Sequence, residues 1–228
     1  MSFFPDRTLV FGDIHGCHRA LIDLLALAAP DPRRDRLVFL GDYVDRGPDS
    51  RGVIDEILRL KREFRQVVAL KGNHEEVLLS FLAGRERDFY LMVGGRQTLE
   101  SYGCGPPFDY ACAAAIPEAH RHFLGDLLPS WEDESHIYVH AGLKAGVHLS
   151  MQPSDWLYWA AGGRFVTQRH DFGKRVIFGH AVQQTPLIEP DKVGIDTGAV
   201  YGGHLSCLIL PEFRILQVKS ERFWPVGV

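Results

Sequence analysis

Three short segments of this 228-residue chain carry side chains that bind divalent metals: Gly12-Asp13-Ile14-His15-Gly16, Gly41-Asp42-Tyr43-Val44-Asp45-Arg46-Gly47 and Gly72-Asn73-His74-Glu75. Carboxylate, imidazole and amide donors with no thiolate among them suit a pair of hard-to-borderline ions. Asp13 and His15 are two residues apart, so in an extended segment they project to the same side. Asp42 has two oxygens and can reach between two ions, and Asn73 offers a neutral amide oxygen. Two ions need more ligands than these. His140, in Ile137-Tyr138-Val139-His140-Ala141-Gly142, and His180, in Val176-Ile177-Phe178-Gly179-His180, repeat the pattern of an apolar run followed by a ligand and a nearby glycine. The six residues suit a two-metal centre with positions left for water and substrate. Beside them, Arg46 is a planar cation that matches two phosphate oxygens, and His74 is a spare imidazole. The chemistry this combination implies is hydrolysis of a phosphate ester.

The elements that must position these groups are legible in the hydrophobic pattern. Arg7 to Phe11, Arg36 to Leu40 and Gln66 to Leu70 read as three buried strands, each ending at one of the metal-type segments. Helical spacing follows each: residues 18–29 stopped by Pro30, a helix after the N-cap segment Pro48-Asp49-Ser50, and Glu75 to Leu82. Strand–helix three times over predicts a parallel sheet with right-handed crossovers, in which functional residues gather where strands end. Residues 85–130 read as helical but irregular, broken at Gly94-Gly95 and Gly103-Cys104-Gly105-Pro106-Pro107. Beyond them short β-type runs dominate, pointing to a second sheet. A lone Gly-Asp pair is common turn chemistry, and a lone histidine after a strand is more often structural than a ligand. Five strand ends that each deliver a metal-competent side chain are not explained that way.

Composition narrows the field without naming a substrate. Hydrophobic residues at 46% and charged residues at 24% are those of an ordinary globular protein. A formal charge of −4 gives no electrostatic reason to expect a nucleic-acid partner. No apolar run approaches the roughly 18 residues of a membrane span, and the first residues do not read as a signal peptide. Cys17, Cys104, Cys112 and Cys207 are scattered without metal-type spacing, so reduced thiols and a cytoplasmic location are expected. With no linker or repeat visible, one domain over residues 1–228 is expected.

In order and spacing, the Gly-Asp13-Ile-His15-Gly, Gly-Asp42-Tyr-Val-Asp45-Arg46-Gly, Gly-Asn73-His74-Glu75, His140-Ala-Gly and Gly-His180 blocks resemble the signatures of the PPP-type metallophosphatases. That superfamily includes phosphoprotein Ser/Thr phosphatases, their small bacterial and phage relatives, and symmetrical diadenosine tetraphosphate hydrolases. The resemblance runs from about residue 7 to 210. It implies an α/β, calcineurin-like metallophosphoesterase fold: a four-layer sandwich of two mixed sheets flanked by helices, with the metals at one edge. It also implies that Asp42 bridges two ions, with Asp13 and His15 on one and Asn73, His140 and His180 on the other. The ions implied are often manganese, with iron, zinc, nickel or cobalt as alternatives. A water between two such ions becomes a hydroxide near neutral pH and can attack phosphorus. His74 then takes the role of general acid, oriented by Asp45, while Arg46 and Asn73 bind substrate.

Relatives bring a second arginine soon after a tryptophan that precedes the last histidine block. Here Trp159-Ala160-Ala161-Gly162-Gly163-Arg164 departs from that pattern, and Arg164 is the candidate replacement. Glu75 is expected to support the site by hydrogen bonding rather than ligation. The Asp196 to His204 segment resembles a loop near the metal edge or serves as a structural turn. Cys17 reads as a packed helix-start residue. The function implied is a serine/threonine protein phosphatase, the substrate being a phosphoprotein or a small phosphorylated molecule. The alternative is a diadenosine tetraphosphate or nucleotide hydrolase on the same scaffold. Asp45 leans toward the first, because many tetraphosphate hydrolases replace it. A catalytically dead phosphate-binding scaffold is disfavoured because all six ligand positions and the candidate acid are filled.

Overall fold

A computed structural model describes residues 5–225. Strand β1 (Arg7–Phe11), helix α1 (His18–Ala28), β2 (Asp35–Phe39), α2 (Ser50–Glu63), β3 (Val67–Ala69) and α3 (Asn73–Leu82) realise the threefold strand–helix pattern. α1 ends where Ala29 turns left-handed ahead of Pro30, and the Asp49 carboxylate caps α2 by accepting from the Gly52 amide. α3 starts at Asn73 itself, two residues earlier than the apolar spacing predicts, because Glu75 caps its first turn. The irregular middle comprises α4 (Arg87–Tyr90), a wide turn through Leu91–Gly95, α5 (Arg96–Ser101), a 3₁₀ segment (Tyr110–Ala115) and α6 (Glu118–Gly125). Then come β4 (Ser130–Glu132), β5 (His136–Val139), α7 (Ser154–Leu157), α8 (Ala160–Thr167), β6 (Arg175–Phe178), β7 (Leu187–Ile188), β8 (Lys192–Gly194), β9 (His204–Leu210) and β10 (Arg214–Lys219).

The strands form two five-stranded sheets, ordered β10-β9-β1-β2-β3 and β4-β5-β6-β8-β7. Both are mixed. In the first, β1–β2 and β2–β3 are parallel while β9 runs antiparallel to β1 and β10. In the second, β5–β6 and β6–β8 are parallel, and β4 and β7 close the edges antiparallel. The period-2 alternation of the strands distributes side chains between layers. Val10, Val38, Val68, Tyr138, Ile177 and Leu208 face into a core between the sheets. Their neighbours Leu9, Phe11, Leu37 and Phe39 face outward beneath α1, α2 and α3. Ile137, Val139, Val176 and Phe178 face outward beneath α7 and α8. The outcome is four layers, with helices outside both sheets. The parallel strands β1, β2, β5, β6 and β8 all end at one edge, which therefore collects their following loops.

One expectation fails. Cys104 and Cys112 are joined in a disulfide, while Cys17 and Cys207 are free and buried. The eight-residue separation spans a loop that folds back on itself around the buried Phe108, a closure that spacing alone does not reveal. Cys17 is packed as expected, and burial pushes its thiol up to about 12, so it is neither ionised nor nucleophilic near neutral pH.

Candidate metal centre

Each of the six proposed ligands leaves a strand end or starts a helix at the shared edge, and the structure brings all six together. Asp42 is the hub. Its Oδ2 lies 3.3 Å from His15 Nε2, and its Oδ1 lies 3.5 Å from His140 Nε2. One carboxylate thus offers one oxygen to each side. The histidine tautomers are set from behind: His15 Nδ1 donates to the Val44 carbonyl at 2.8 Å and His140 Nδ1 donates to the Leu40 carbonyl at 3.0 Å. Both Nε2 atoms therefore present lone pairs inward. Asn73 Oδ1 sits 3.0 Å from His140 Nε2 and 3.0 Å from His180 Nδ1. Asp13 Oδ2 accepts from the His180 backbone amide at 3.0 Å, while its Oδ1 is buried and accepts no hydrogen bond.

The donors fit divalent ions on their own terms. Acceptor atoms of His15, His140, Asp42 and Asn73 crowd together at 3.0 to 3.5 Å, more of them than a single carboxyl proton on Asp42 can satisfy, an arrangement a shared cation reconciles. Asp42, His140 and His180 form one group whose ligand atoms lie within 4.8 Å of each other, and His15, Asp42 and His74 form a second. The electrostatics agree. Burial, with Asp196 and Asp42 nearby, holds the Asp13 carboxyl well above its ordinary range. Burial likewise lifts Asp42 to about 8. Burial drops His140 and His180 to about 3 and lowers His15 well below its ordinary value. A protein that buries clustered carboxylates beside neutral imidazoles gains from a bound positive charge.

The support is built from backbone contacts. Glu75, fully buried, accepts four amides: Gly72 and Asp42 on Oε2, both at 2.9 Å, and Tyr43 and Val44 on Oε1 at 2.8 and 3.3 Å. It ties the loop after β2 to the start of α3, the supporting role expected of it. Gly179 lies so close to Asp13 that a Cβ there would stand 2.1 Å from Oδ1.

Next to the donors, Asp45 and Arg46 occupy consecutive left-handed conformations, with φ of 71° and 69°. Each costs about 1–2 kcal/mol for a residue with a Cβ, so the turn needs outside support. It receives it from the Arg46 amide bonded to the Gly94 carbonyl at 3.0 Å and the Asp45 amide bonded to Thr98 Oγ1 at 2.8 Å. His74 Nδ1 donates to Asp45 Oδ2 at 2.8 Å, both groups buried. Burial lowers His74 well below its ordinary value and lifts Asp45 to about 7. Arg46 reaches His15 Nε2 with Nη1 at 3.0 Å, and its guanidinium lies 5.6 Å from the Tyr201 ring centre.

The chain matches the family model of calcineurin-like phosphoesterases over residues 6–184. It belongs to that family. This calcineurin-like phosphoesterase is 33% identical over 211 residues to serine/threonine-protein phosphatase 1 of Salmonella typhimurium (strain LT2), covering 86% of this chain and 88% of that one. It is 28% identical over 235 residues to the asymmetrical bis(5'-nucleosyl)-tetraphosphatase PrpE of a Geobacillus species (strain WCH70), covering 93% and 94%. A crystal structure provisionally described as a diadenosine tetraphosphatase superposes with a TM-score of 0.74 at 25% identity, covering 96% of each chain.

Among the described residues, the Arg164 side chain makes no hydrogen bond or ion pair with the cluster in this phosphoesterase. It is exposed on α8, five residues beyond Trp159, whose ring meets His180 edge-on at 6.2 Å. Two other residues contribute more than sequence reasoning assigned them. Asp196 follows β8 in the same strand-end relation as the ligands, is buried, and raises the Asp13 and Asp42 carboxyls; its own is lifted to about 6 by burial. The run Val193-Gly194-Ile195-Asp196 carried that signal. Thr98 was missed entirely, and nothing in its helical surroundings marks it.

Proposed function

We propose that this chain is a dinuclear-metal-dependent phosphomonoester hydrolase whose substrates are phosphoserine or phosphothreonine in proteins, working as a single domain over residues 1–228. The observation that carries the reading is Asp42, which divides its two oxygens between His15 and His140 while Arg46 lies against His15. Asp13, His15 and Asp42 would hold one ion, and Asp42, Asn73, His140 and His180 the other. Bound there, the ions would supply a nucleophile from water near neutral pH and polarise the phosphoryl oxygens. The all-oxygen-and-nitrogen donor set suits manganese, with iron, zinc, nickel and cobalt as alternatives.

The chain's own residues do the rest. Arg46 and the Asn73 amide orient the phosphoryl group, the guanidinium by a forked contact. Asp45 fixes the His74 ring through Nδ1; delivery of a proton to the departing oxygen from Nε2 requires the doubly protonated imidazolium, which the Asp45 carboxylate favours against the lowering by burial. An alkoxide from serine or threonine needs that proton, whereas a polyphosphate leaving group departs as a stable anion. This difference supports the phosphoprotein reading. Arg164 is retained as a second phosphate contact: Arg164→Ala is expected to raise KM severalfold, and unchanged kinetics would remove it. The cytoplasmic assignment is supported by the free thiols of Cys17 and Cys207 and opposed by the Cys104–Cys112 pair.

A second reading, dinucleoside polyphosphate hydrolysis, is supported by the near full-length likeness to the tetraphosphatases. Parallel kcat/KM measurements with manganese on phosphopeptides and diadenosine tetraphosphate separate the two. Faster phosphopeptide cleavage is expected; much faster tetraphosphate cleavage would overturn the first reading in favour of the second.

A further inference from the structure

We infer that Thr98, on a helix 53 residues away in sequence, is a positioning residue for leaving-group protonation: its hydroxyl sets the orientation of Asp45 and, through it, of His74. The inference rests on the reading of this chain as a phosphoester hydrolase.

Thr98 is fully buried on α5. Its Oγ1 donates to Asp45 Oδ1 at 2.7 Å and accepts from the Asp45 backbone amide at 2.8 Å. A hydroxyl has one proton. With that proton committed to Asp45, the Ser50 hydroxyl, 2.9 Å away, donates into Thr98, and Ser50 Oγ also accepts the Asp45 amide at 3.1 Å. The Asp45 carboxylate is therefore held at both oxygens, Oδ1 by Thr98 and Oδ2 by His74, with the buried Tyr90 hydroxyl beside it. Removing the Thr98 hydroxyl takes away the hydrogen bond on Oδ1 that helps fix the carboxylate, and so loosens the His74 ring that Oδ2 holds.

The same helical stretch grips Arg46. The Gly94 carbonyl takes the Arg46 amide, and Gly94, at φ 112°, lies so close that a Cβ there would stand 2.7 Å from Arg46 Cγ. The Leu91–Gly95 turn and α5 thus act as one clamp across the strained Asp45-Arg46 turn. The clamp's backbone contact serves phosphate binding, and its hydroxyl serves proton delivery. Separating these two contributions is what makes the inference testable.

Thr98→Val keeps the shape of the side chain and removes the hydroxyl. With manganese added, kcat on a phosphoserine peptide is expected to fall about ten- to hundredfold, a part of the 10²–10⁴ that positioned general acids supply. On p-nitrophenyl phosphate, whose leaving group needs no proton at neutral pH, kcat should stay within about threefold of wild type. Thr98→Ser should restore the peptide rate. Asp45→Asn should show the same substrate-dependent loss, and adding Thr98→Val to it should cost little more, because the two act in series. If Thr98→Val melts far below wild type, Thr98→Ala and Thr98→Ser, compared at a temperature where both are folded, carry the same comparison. Equal losses on both substrates, or no loss on the peptide, would overturn the inference. A wild-type protein that hydrolyses neither ester overturns the phosphoesterase reading and the inference with it, whereas loss confined to Thr98 variants cannot arise that way.

Discussion

Glu75→Gln is the sharpest test of how the centre is held. The wild-type carboxylate accepts four backbone amides and donates nothing. Glutamine can keep its carbonyl oxygen where Oε2 meets the Asp42 and Gly72 amides, the better pair at 2.9 Å each. Its NH₂ then faces the amides of Tyr43 and Val44, leaving both without an acceptor. A buried orphaned donor costs about 1–3 kcal/mol, so the variant should lose roughly 2–6 kcal/mol. At about 2–4 °C per kcal/mol for a chain of this size, the melting temperature should drop by roughly 10 °C. Tyr43 and Val44 follow Asp42 directly, and the Val44 carbonyl sets the His15 tautomer. Metal affinity should therefore fall with stability. Differential scanning fluorimetry with and without manganese, paired with metal titration, reads both. A Glu75→Gln protein with wild-type melting and wild-type metal affinity would refute this account of the support.

Gly179→Ala places a Cβ against Asp13 Oδ1, so it should abolish metal retention and cut kcat by at least about 10²-fold while the far-ultraviolet circular dichroism stays native; a metal-loaded, active variant would contradict it. Metal loading at pH 7 should release protons. Burial raises the coupled Asp13 and Asp42 carboxyls, the latter to about 8, so ions must displace at least one proton from the pair, whereas His140 and His180, at about 3, are already neutral. Affinity should accordingly rise as pH climbs toward 8, and calorimetry in buffers of different ionisation enthalpy should show release on the order of one proton per chain; no buffer dependence would count against it. The same raised carboxyls stabilise the metal-free fold at low pH and withdraw that stability as pH rises from the ordinary aspartate value through 8. The melting-temperature gain from manganese should therefore widen between pH 6 and 8, and a constant gain would argue against carboxylate control.

Most of the site could be read from the chain because its logic is local. Asp13, Asp42, His140 and His180 each follow a run of alternating or continuous apolar residues, and a strand end is a place the sequence marks. The four layers follow from the same alternation, since Val10 and Val38 point one way while Leu9, Phe11, Leu37 and Phe39 point the other. What the chain hides is contact between distant segments. Thr98 meets Asp45 across 53 residues, and a threonine in a helical stretch looks like any other. Cys104 and Cys112 pair because the loop around Phe108 folds back, which no spacing rule states. Asp196 was visible as a strand-end acid, but its place behind Asp13 and Asp42 depends on β8 lying beside β6 in the second sheet.

Asp42 is proposed to join two ions at this edge. A crystal structure of the manganese-soaked protein, with anomalous difference density measured above the manganese edge, tests it directly. Two peaks are expected, one within ligand distance of Asp13, His15 and Asp42 and the other of Asp42, Asn73, His140 and His180. A single peak, or two that do not share Asp42, would contradict it.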